Sequence, residues 1–186
     1  MKAFVAILLT FTFMFSAVAI SIDASADEYT EYTYGKFTFE LDGSDAIITS
    51  YDNEDADAEV SIPDTVNDGT TDHTVVKIRS MFTSKEITKI TIPATVIEIE
   101  PGIFEASGIT SYEVVGGTHF LSDDGVLYST GHHKLIRYPV AKDATTYQVS
   151  KDTSEICTEA FRGAVKLETV SFETGSVLLK ISETAF

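Results

Sequence analysis

Cysteine and tryptophan are almost missing from this chain of 186 residues, which contains one cysteine, Cys157, and no tryptophan. A single cysteine excludes an intrachain disulfide and any metal site built from several thiolates. The fold must therefore be held together by apolar packing and backbone hydrogen bonds. Apolar residues make up 44% of the chain and charged residues 23%, which is typical of a globular protein and excludes a wholly disordered or polytopic membrane protein.

Basic residues are also scarce. The chain has 13 lysines and arginines against 29 aspartates and glutamates, so its net charge is −16. Such a surface repels the phosphates of nucleic acids and of anionic lipids. We therefore expect no nucleic-acid partner and no membrane insertion of the mature chain.

Motifs that carry catalysis are missing as well. The sequence has no G-x-S-x-G, no phosphate-binding Walker loop and no H-E-x-x-H zinc motif. Cys157 has no histidine beside it to act as a base, so we interpret it as a small packed residue. Because acidic residues are abundant, one alternative stays open, a pair of carboxylates that hydrolyses carbohydrate in a cleft. The simpler expectation is a protein that is not an enzyme and holds no cofactor or metal.

The first 26 residues have the pattern of a secretory signal peptide. Lys2 is followed by an apolar stretch, Ala3–Ile20, and then by Ala24-Ser25-Ala26, a small-residue cleavage site. The stretch also approaches the length that spans a bilayer, so an uncleaved anchor is the rival interpretation. We expect cleavage, a single repeat domain over residues 27–186, and a secreted or extracellular-surface location.

An apolar pattern repeats along the mature chain. Apolar residues occupy the first, fourth and sixth positions of segments that begin at Ile87, Ile109 and Leu167. Side chains two apart on a strand share a face, so the fourth and sixth residues are predicted to point inward. The inward set, expected on one continuous parallel sheet, comprises Ile90, Ile92, Val114, Val149, Val170 and Phe172.

A second signature is an isoleucine with a phenylalanine four or five residues later. Each unit then consists of a strand, a turn, a short second extended piece and one helical turn that carries the phenylalanine. A unit this short cannot bury its apolar face alone, whereas stacked units can. The predicted fold is a β-rich α/β solenoid of about five units with parallel strands and short helical turns. The signature occurs as Ile78…Phe82, Ile99…Phe104, Ile156…Phe161 and Ile181…Phe186.

Three segments interrupt the period. Residues 34–48 contain two apolar runs around a turn and are predicted to form a β-hairpin that caps the N-terminal end of the array. Residues 120–139 contain two further runs around a glycine, which predicts an inserted β-hairpin. Residues 67–74 form a polar loop. Phe186 lies inside a repeat, so an uncapped C-terminal end is expected to favour self-association, unless the chain is a truncated product.

The unit Ile87–Phe104 resembles the BspA-like family of leucine-rich repeats, whose cadence is L-T-x-I-x-I-P-x-x-V-x-x-I-x-x-x-A-F. The insert Ser122–Pro139 and the opening Gly35–Leu41 are also similar to that family, although Ile103 replaces the usual alanine. The resemblance covers residues 34–186. It implies a leucine-rich-repeat array without catalytic residues, in a secreted or surface protein that binds matrix proteins or neighbouring cells. Binding residues differ between family members, so none transfers to this chain.

Several residues are candidates for metal binding. The acidic run Asp52–Glu59 offers the oxygen ligands that calcium prefers, but it lacks the central glycine of an EF-hand loop, and we interpret it as a solvated turn. Adjacent residues such as His132 and His133 seldom converge on one ion, which favours a polar hairpin tip. His73 and His119 are expected to lie alone in polar loops.

The outward positions of the repeated strands are the candidate partner-binding residues. Neighbouring strands ~4.8 Å apart would form a flat polar array of mixed charge, which suits a protein or cell-surface partner better than a small molecule. Alternatively, these residues are only solvated, or the inserts at 67–74 and 120–139 make the contact. We predict a non-catalytic role in adhesion or protein binding, with a carbohydrate-active enzyme or a spacer of a larger adhesin as alternatives. The candidates are Lys89, Thr91, Ser111, Glu113, Gln148, Thr169 and Ser171.

Overall fold

The computed structural model describes residues 30–186. The predicted signal peptide, residues 1–26, lies outside them. Regular structure in the described range consists of one 3-10 turn, Thr130–His132, and sixteen strands. The strands are β1 Tyr32–Tyr34, β2 Phe37–Asp42, β3 Asp45–Tyr51, β4 Glu59–Ser61, β5 Thr65–Asn67, β6 Asp72–Ile78, β7 Lys89–Pro93, β8 Glu98–Ile99, β9 Ser111–Val115, β10 Phe120–Asp123, β11 Val126–Ser129, β12 Lys134–Arg137, β13 Thr146–Val149, β14 Glu155–Ile156, β15 Thr169–Phe172 and β16 Lys180–Ile181.

One series of strands carries the repeated apolar pattern. Strands β4, β7 and β9 pair side by side in parallel, with Lys89 opposite Ser111. Further along the chain, β13 and β15 pair in the same way, with Val149 opposite Phe172. Each residue thus lies opposite its equivalent in the next repeat. The period of the sequence therefore sets the register of the parallel ladders.

A second series of short strands carries the isoleucines of the phenylalanine signature. Ile78 of β6 lies opposite Ile99 of β8. Ile156 of β14 lies between Leu135 of β12 and Ile181 of β16, again in parallel. Each repeat therefore contributes one strand to each of two series, which is the arrangement expected of the second extended piece.

Antiparallel strands occur at the beginning and in the middle of the described chain. Strands β1, β2 and β3 pair antiparallel, and β3 continues in parallel into β6. Strands β10, β11 and β12 form an antiparallel meander, and β12 continues in parallel into β14. Both of these units therefore join the second series of strands through hydrogen bonds, and β5 pairs antiparallel with β6 of that series.

The phenylalanines of the signature stack between repeats. Phe82 and Phe104 are buried, with ring centroids 5.8 Å apart, and Phe104 packs on Tyr112 at 5.1 Å. In the second half of the chain, buried Phe161 stacks on Phe186 at 4.9 Å. The remaining core is mostly aliphatic, with further buried rings such as Phe39, Tyr51 and Tyr128. It forms two clusters, one mainly before the insert and one drawn from the insert and the repeats after it. Successive repeats are thus held together by rings as well as by the strand ladders.

The predicted helical turns around the phenylalanines are not present, so the α/β part of the prediction is wrong. Phe82 and Phe104 have extended backbones that form an isolated parallel bridge, and Phe161 lies in a turn. Only a few residues separate each phenylalanine from the next strand, too few to offset the cost of nucleating a helix. No helix among residues 30–186 is long and apolar enough to span a bilayer.

The prediction of one continuous parallel sheet is also wrong, because β9 and β13 belong to separate sheets. The edge of β9 where β13 would pair is occupied by the insert. The backbone N–H of Tyr112 donates to the carbonyl of Gly125 at 2.8 Å, and that of Val114 donates to Ser122 Oγ at 3.4 Å. Because the insert uses these donors, the first series stops at β9 and begins again at β13.

The six residues predicted to point inward are buried to different degrees. Ile90, Ile92 and Val149 are fully buried, whereas Val114 and Val170 are only half-buried. The largest departure is the last member of the set, Phe172, which is 40% exposed. Within residues 30–186, no strand covers the outer edge of β15, so the final repeat lacks the neighbour that buries the equivalent positions of earlier ones.

Candidate functional site

The outward residues of β4, β7 and β9 form two rows that cross the sheet. Lys89 lies opposite Ser111, and Thr91 lies opposite Glu113. All four of these predicted partner-binding residues are partly exposed. The pleat places them on one face, because residues two apart on a strand point to the same side. The rows make a flat polar surface, which we name the strand face.

An ion pair links the two rows of the strand face. Lys89 Nζ lies 2.5 Å from Glu113 Oε2, and both side chains remain open to solvent. The hydrogen bond to Glu113 raises the pKa of Lys89 above its ordinary value. The strand face therefore presents a pair of opposite charges to solvent. Because the pair is solvated, it contributes little to stability.

The turn between β10 and β11 borders the strand face. Gly125 has φ +77°, and a Cβ at this position would lie 3.0 Å from the Cβ of Ser111. A glycine here allows both the turn conformation and the close approach. On the far side of the turn, Lys142 Nζ lies 3.0 Å from Asp124 Oδ2. The insert and the strand face thus form one continuous surface.

The other three candidates, Gln148, Thr169 and Ser171, lie on β13 and β15 and are exposed. Gln148 is opposite Ser171. These side chains form an uncharged patch on the second sheet. The structure therefore divides the seven predicted residues into a group of four that includes the ion pair and an uncharged group of three.

The tip of the insert is attached to the following repeat. The hydroxyl of Thr153 donates to the carbonyl of His132 at 2.9 Å, and the backbone N–H of Ser154 donates to the carbonyl of His133 at 2.9 Å. The backbone N–H of Lys134 donates to Ser129 Oγ at 2.9 Å. Deletion of this tip would remove hydrogen bonds between repeats. Its part in binding is therefore better tested by single substitutions.

The acidic run after β3 is a turn closed by its own backbone and by a lysine. Asp52 Oδ1 accepts the N–H groups of Glu54 and Asp55 at 3.1 and 3.2 Å. Lys36 Nζ lies 3.0 Å from Asp57 and 3.2 Å from Asp55. Between residues 30 and 186, no three acidic, histidine or cysteine side chains are placed to hold a metal ion.

His73 was expected to lie alone in a polar loop, and this expectation is wrong. Its Nδ1 lies 3.0 Å from the carbonyl oxygen of Ser44, and its Nε2 lies 3.1 Å from Asp68 Oδ2. Asp68 and, to a smaller extent, the Ser44 carbonyl raise the pKa of His73. His132 likewise pairs with Asp123 at 3.0 Å. Each of these histidines has a carboxylate partner within its own part of the fold.

Cys157 is half-buried directly after β14. Burial raises the pKa of its thiol. A cysteine nucleophile needs a lowered pKa, which a positive neighbour or a base supplies. The structure therefore favours the interpretation of Cys157 as a small packed residue and not as a nucleophile.

A two-carboxylate mechanism requires acidic side chains in an enclosed cleft. No aspartate or glutamate of the described part of the chain is buried. One groove there has a volume of about 550 Å³ and one acidic residue, Glu168, in its lining, and a second groove of about 540 Å³ is lined by Asp143 and Glu168, both of which are exposed. The carboxylates that line these grooves are therefore exposed to solvent and not enclosed.

Charged ladders across the second series of strands were not predicted. Glu155 lies opposite both Lys134 and Lys180, with Nζ–Oε distances of 3.1 and 2.6 Å. The hydrogen bond from Lys180, together with that from Lys134, lowers the pKa of Glu155 to about 2. Lys77 and Glu98 form the same contact in the first half at 2.6 Å. The sequence does contain this signal. The residue before each aliphatic residue of the second series is alternately lysine and glutamate, so the charge changes sign from one strand to the next.

Comparisons with known proteins identify the fold. No model of a known family matches the chain, and no curated protein matches it. The chain is similar to the crystal structure of a leucine-rich repeat protein from Eubacterium ventriosum, with a TM-score of 0.54 and 20% identity over 69% of this chain. It spans about a third of that protein, 32% of its length. The chain therefore has a leucine-rich-repeat fold, as the resemblance in the sequence implied.

Two further solved structures are less similar. The pneumococcal vaccine antigen PcpA has a TM-score of 0.46 and 15% identity, over 81% of this chain and 66% of that one. A leucine-rich cell surface protein from Faecalibacterium prausnitzii has a TM-score of 0.38 and 14% identity, over 84% of this chain and 77% of that one.

Proposed function

We propose that this chain is a secreted, non-catalytic binding module, a short leucine-rich-repeat solenoid of about five units that holds another protein on its strand face. The signal-peptide pattern of residues 1–26 supports secretion. The repeat fold supports a binding role, because stacked strands present a regular surface that extends over several repeats. The partner is a protein of the extracellular matrix or of a cell surface.

The observation that carries the proposal is the in-register polar surface with its fixed ion pair. Lys89 and Glu113 stand 2.5 Å apart and are both partly exposed, on a sheet whose opposite side is buried. Flat surfaces of this kind suit macromolecular partners, whereas small molecules are bound in concave pockets. Fixed opposite charges would select the orientation of the partner and exclude like-charged surfaces.

The test begins with a binding screen. The secreted chain is applied to immobilised matrix proteins (collagen, fibronectin and laminin) and to intact cells. For any partner found, Lys89→Glu is combined with Glu113→Lys, which reverses the two charges but keeps the ion pair and the net charge. We expect the affinity to fall by about tenfold or more, because the partner then meets like charges.

A matched control is provided by Lys77 and Glu98 on the second series of strands. They form an ion pair across neighbouring parallel strands at 2.6 Å, as Lys89 and Glu113 do at 2.5 Å. The double exchange Lys77→Glu with Glu98→Lys should leave binding unchanged. Equal effects of the two exchanges on a folded protein would contradict the proposal, and so would the absence of any partner, which favours a spacer.

The insert is a second candidate for the contact, because its turn at Gly125 borders Ser111 of the strand face. His133, at the exposed tip of the insert, offers a side chain that can be removed without loss of the hydrogen bonds made by its carbonyl group. If His133→Ala weakens binding and the Lys89–Glu113 exchange does not, the insert is the recognition element.

A further inference from the structure

Strands β5 and β6 form a hairpin, and we name residues 68–71 between them the tip. The tip is fastened to residues 43–44, the turn that joins β2 to β3. The fastening residue is His73 on β6, whose side chain is only 10% exposed. Its Nδ1 lies 3.0 Å from the carbonyl oxygen of Ser44, and its Nε2 lies 3.1 Å from Asp68 Oδ2. The imidazole ring therefore bridges two separate segments of the chain.

Both partners of the ring are hydrogen-bond acceptors. The carbonyl of Ser44 can only accept. Asp68 Oδ1 accepts the hydroxyl of Thr70 at 2.7 Å and the backbone N–H groups of Thr70 and Thr71 at 2.7 and 2.8 Å. These donors hold the pKa of Asp68 well below its usual range, so its carboxylate has no proton to give to Nε2. Two acceptors require two N–H donors, and only the doubly protonated ring supplies both.

Loss of one proton breaks the bridge, whichever nitrogen gives it up. If Nε2 is deprotonated, its lone pair faces the carboxylate of Asp68. If Nδ1 is deprotonated, its lone pair faces the carbonyl of Ser44. Water reaches this contact poorly, because the side chains of His73 and Asp68 are only 10% and 15% exposed. A buried acceptor without a donor is costly, so the neutral ring does not hold both partners together.

The surroundings of the ring favour its protonated form. On the side of the tip, the carboxylates of Asp68 and Asp72 act on it, and from the β2–β3 turn it meets the carbonyl of Ser44. Its neighbour on β5 is the apolar Val66, which lies opposite His73. The hydrogen bond to Asp68 contributes most to raising the pKa of His73, followed by the Ser44 carbonyl. The ring therefore loses its proton on the alkaline side of its ordinary pKa of 6.5.

We propose that His73 is a proton-dependent clasp, which fastens the tip to the β2–β3 turn when both ring nitrogens are protonated and releases the tip when one proton is lost. Residues 67–74 are one of the alternative sites of partner contact. A partner that binds there would meet an ordered tip below the transition and a released tip above it. The inference does not depend on the proposed function, because β5 and β6 belong to a different sheet from the strand face.

Nuclear magnetic resonance tests both parts of the clasp. At about pH 5.5, both ring nitrogens of His73 should carry a proton. Carbon-13 relaxation at the Cα atoms of Gly69 and Thr70 should give order parameters of about 0.85 there, and below about 0.6 at about pH 9. Circular dichroism follows the rest of the fold. Equal order parameters at the two pH values, or a singly protonated ring in the fastened state, would overturn the proposal.

Replacement Asp68→Asn separates this mechanism from a general effect of pH. The amide keeps an oxygen for the N–H groups of Thr70 and Thr71, and its Nδ2 can donate to Nε2 of His73. The neutral ring, with its proton on Nδ1, then fits both partners. The tip should therefore be ordered at about pH 9 and released at about pH 5.5, the reverse of the unaltered chain. Mass spectrometry checks that the introduced asparagine, which precedes Gly69, has not deamidated.

The matched control is Asp72→Asn, which removes the same charge beside the ring but does not touch either of its hydrogen bonds. This variant should keep the behaviour of the unaltered chain, with an ordered tip at the lower pH. If Asp68→Asn also keeps that direction, or shows the same order at both pH values, His73 does not act as the clasp.

Discussion

Replacement of Phe104 by alanine is expected to lower the free energy of unfolding by about 3–5 kcal/mol. The side chain is 3% exposed, and its ring packs between Phe82 and Tyr112, with centroids 5.8 and 5.1 Å away. Loss of a buried phenylalanine side chain costs roughly 1.5–3 kcal/mol of transfer free energy. Each of the two ring contacts adds about 0.5–1.5 kcal/mol. Together these contributions bracket the expected loss.

The assay is urea unfolding at equilibrium, followed by circular dichroism. The midpoint should fall while the slope stays unchanged, which shows a loss of stability rather than a change in the unfolded state. The control is Phe172→Ala, because Phe172 is 40% exposed and its replacement should cost about 1 kcal/mol or less. If Phe104→Ala is no more harmful than Phe172→Ala, stacked phenylalanines do not hold the repeats together.

Three further predictions concern the N-terminus, a histidine pair and the cysteine. N-terminal sequencing of the secreted protein should find Asp27 or a close neighbour first, and Met1 on that form would contradict cleavage. Asp68 raises the pKa of His73, so the stabilisation from this pair is fully present below the unfolded value of 6.5 and is lost as the pH rises through the folded value. Replacement His73→Gln should therefore destabilise more at about pH 5.5 than at about pH 9 in urea unfolding, and an equal loss at both would contradict the pairing. Cys157 should react with iodoacetamide at neutral pH much more slowly in the folded than in the unfolded chain, as mass spectrometry can follow, because burial raises its pKa.

The repeated spacing of apolar residues in the sequence made the pairing of neighbouring repeats predictable. The spacing of apolar residues at Ile87 and Ile109 identified strands one repeat apart, and in the structure β7 and β9 pair in that register. The isoleucines before each phenylalanine identified the second series of strands, where Ile78 lies opposite Ile99. These predictions succeeded because each repeat meets the next one at equivalent positions, so a regular pattern along the chain becomes a regular contact in space.

The candidate site was predictable only in part. The seven outward residues were predicted from the alternation of side chains along each strand. The structure places four of them on the sheet of β4, β7 and β9 and three on the sheet of β13 and β15. Their division into two groups was missed, because it depends on how the insert folds back onto β9. The ladder of Lys134, Glu155 and Lys180 was missed as well, although the alternating charges were visible in the sequence.

The sequence by itself determined the repeat, its apolar faces, the stacked phenylalanines and the acidic surface, because each of these follows from residue type and spacing. The tertiary structure alone decided where the first series of strands is interrupted, since the donor groups of β9 can pair with either the insert or β13, and the insert takes them. It also decided that six apolar side chains remain exposed at the last repeat. Whether a side chain is buried depends on which strand pairs with its own. Segments that are distant in the sequence compete for that position.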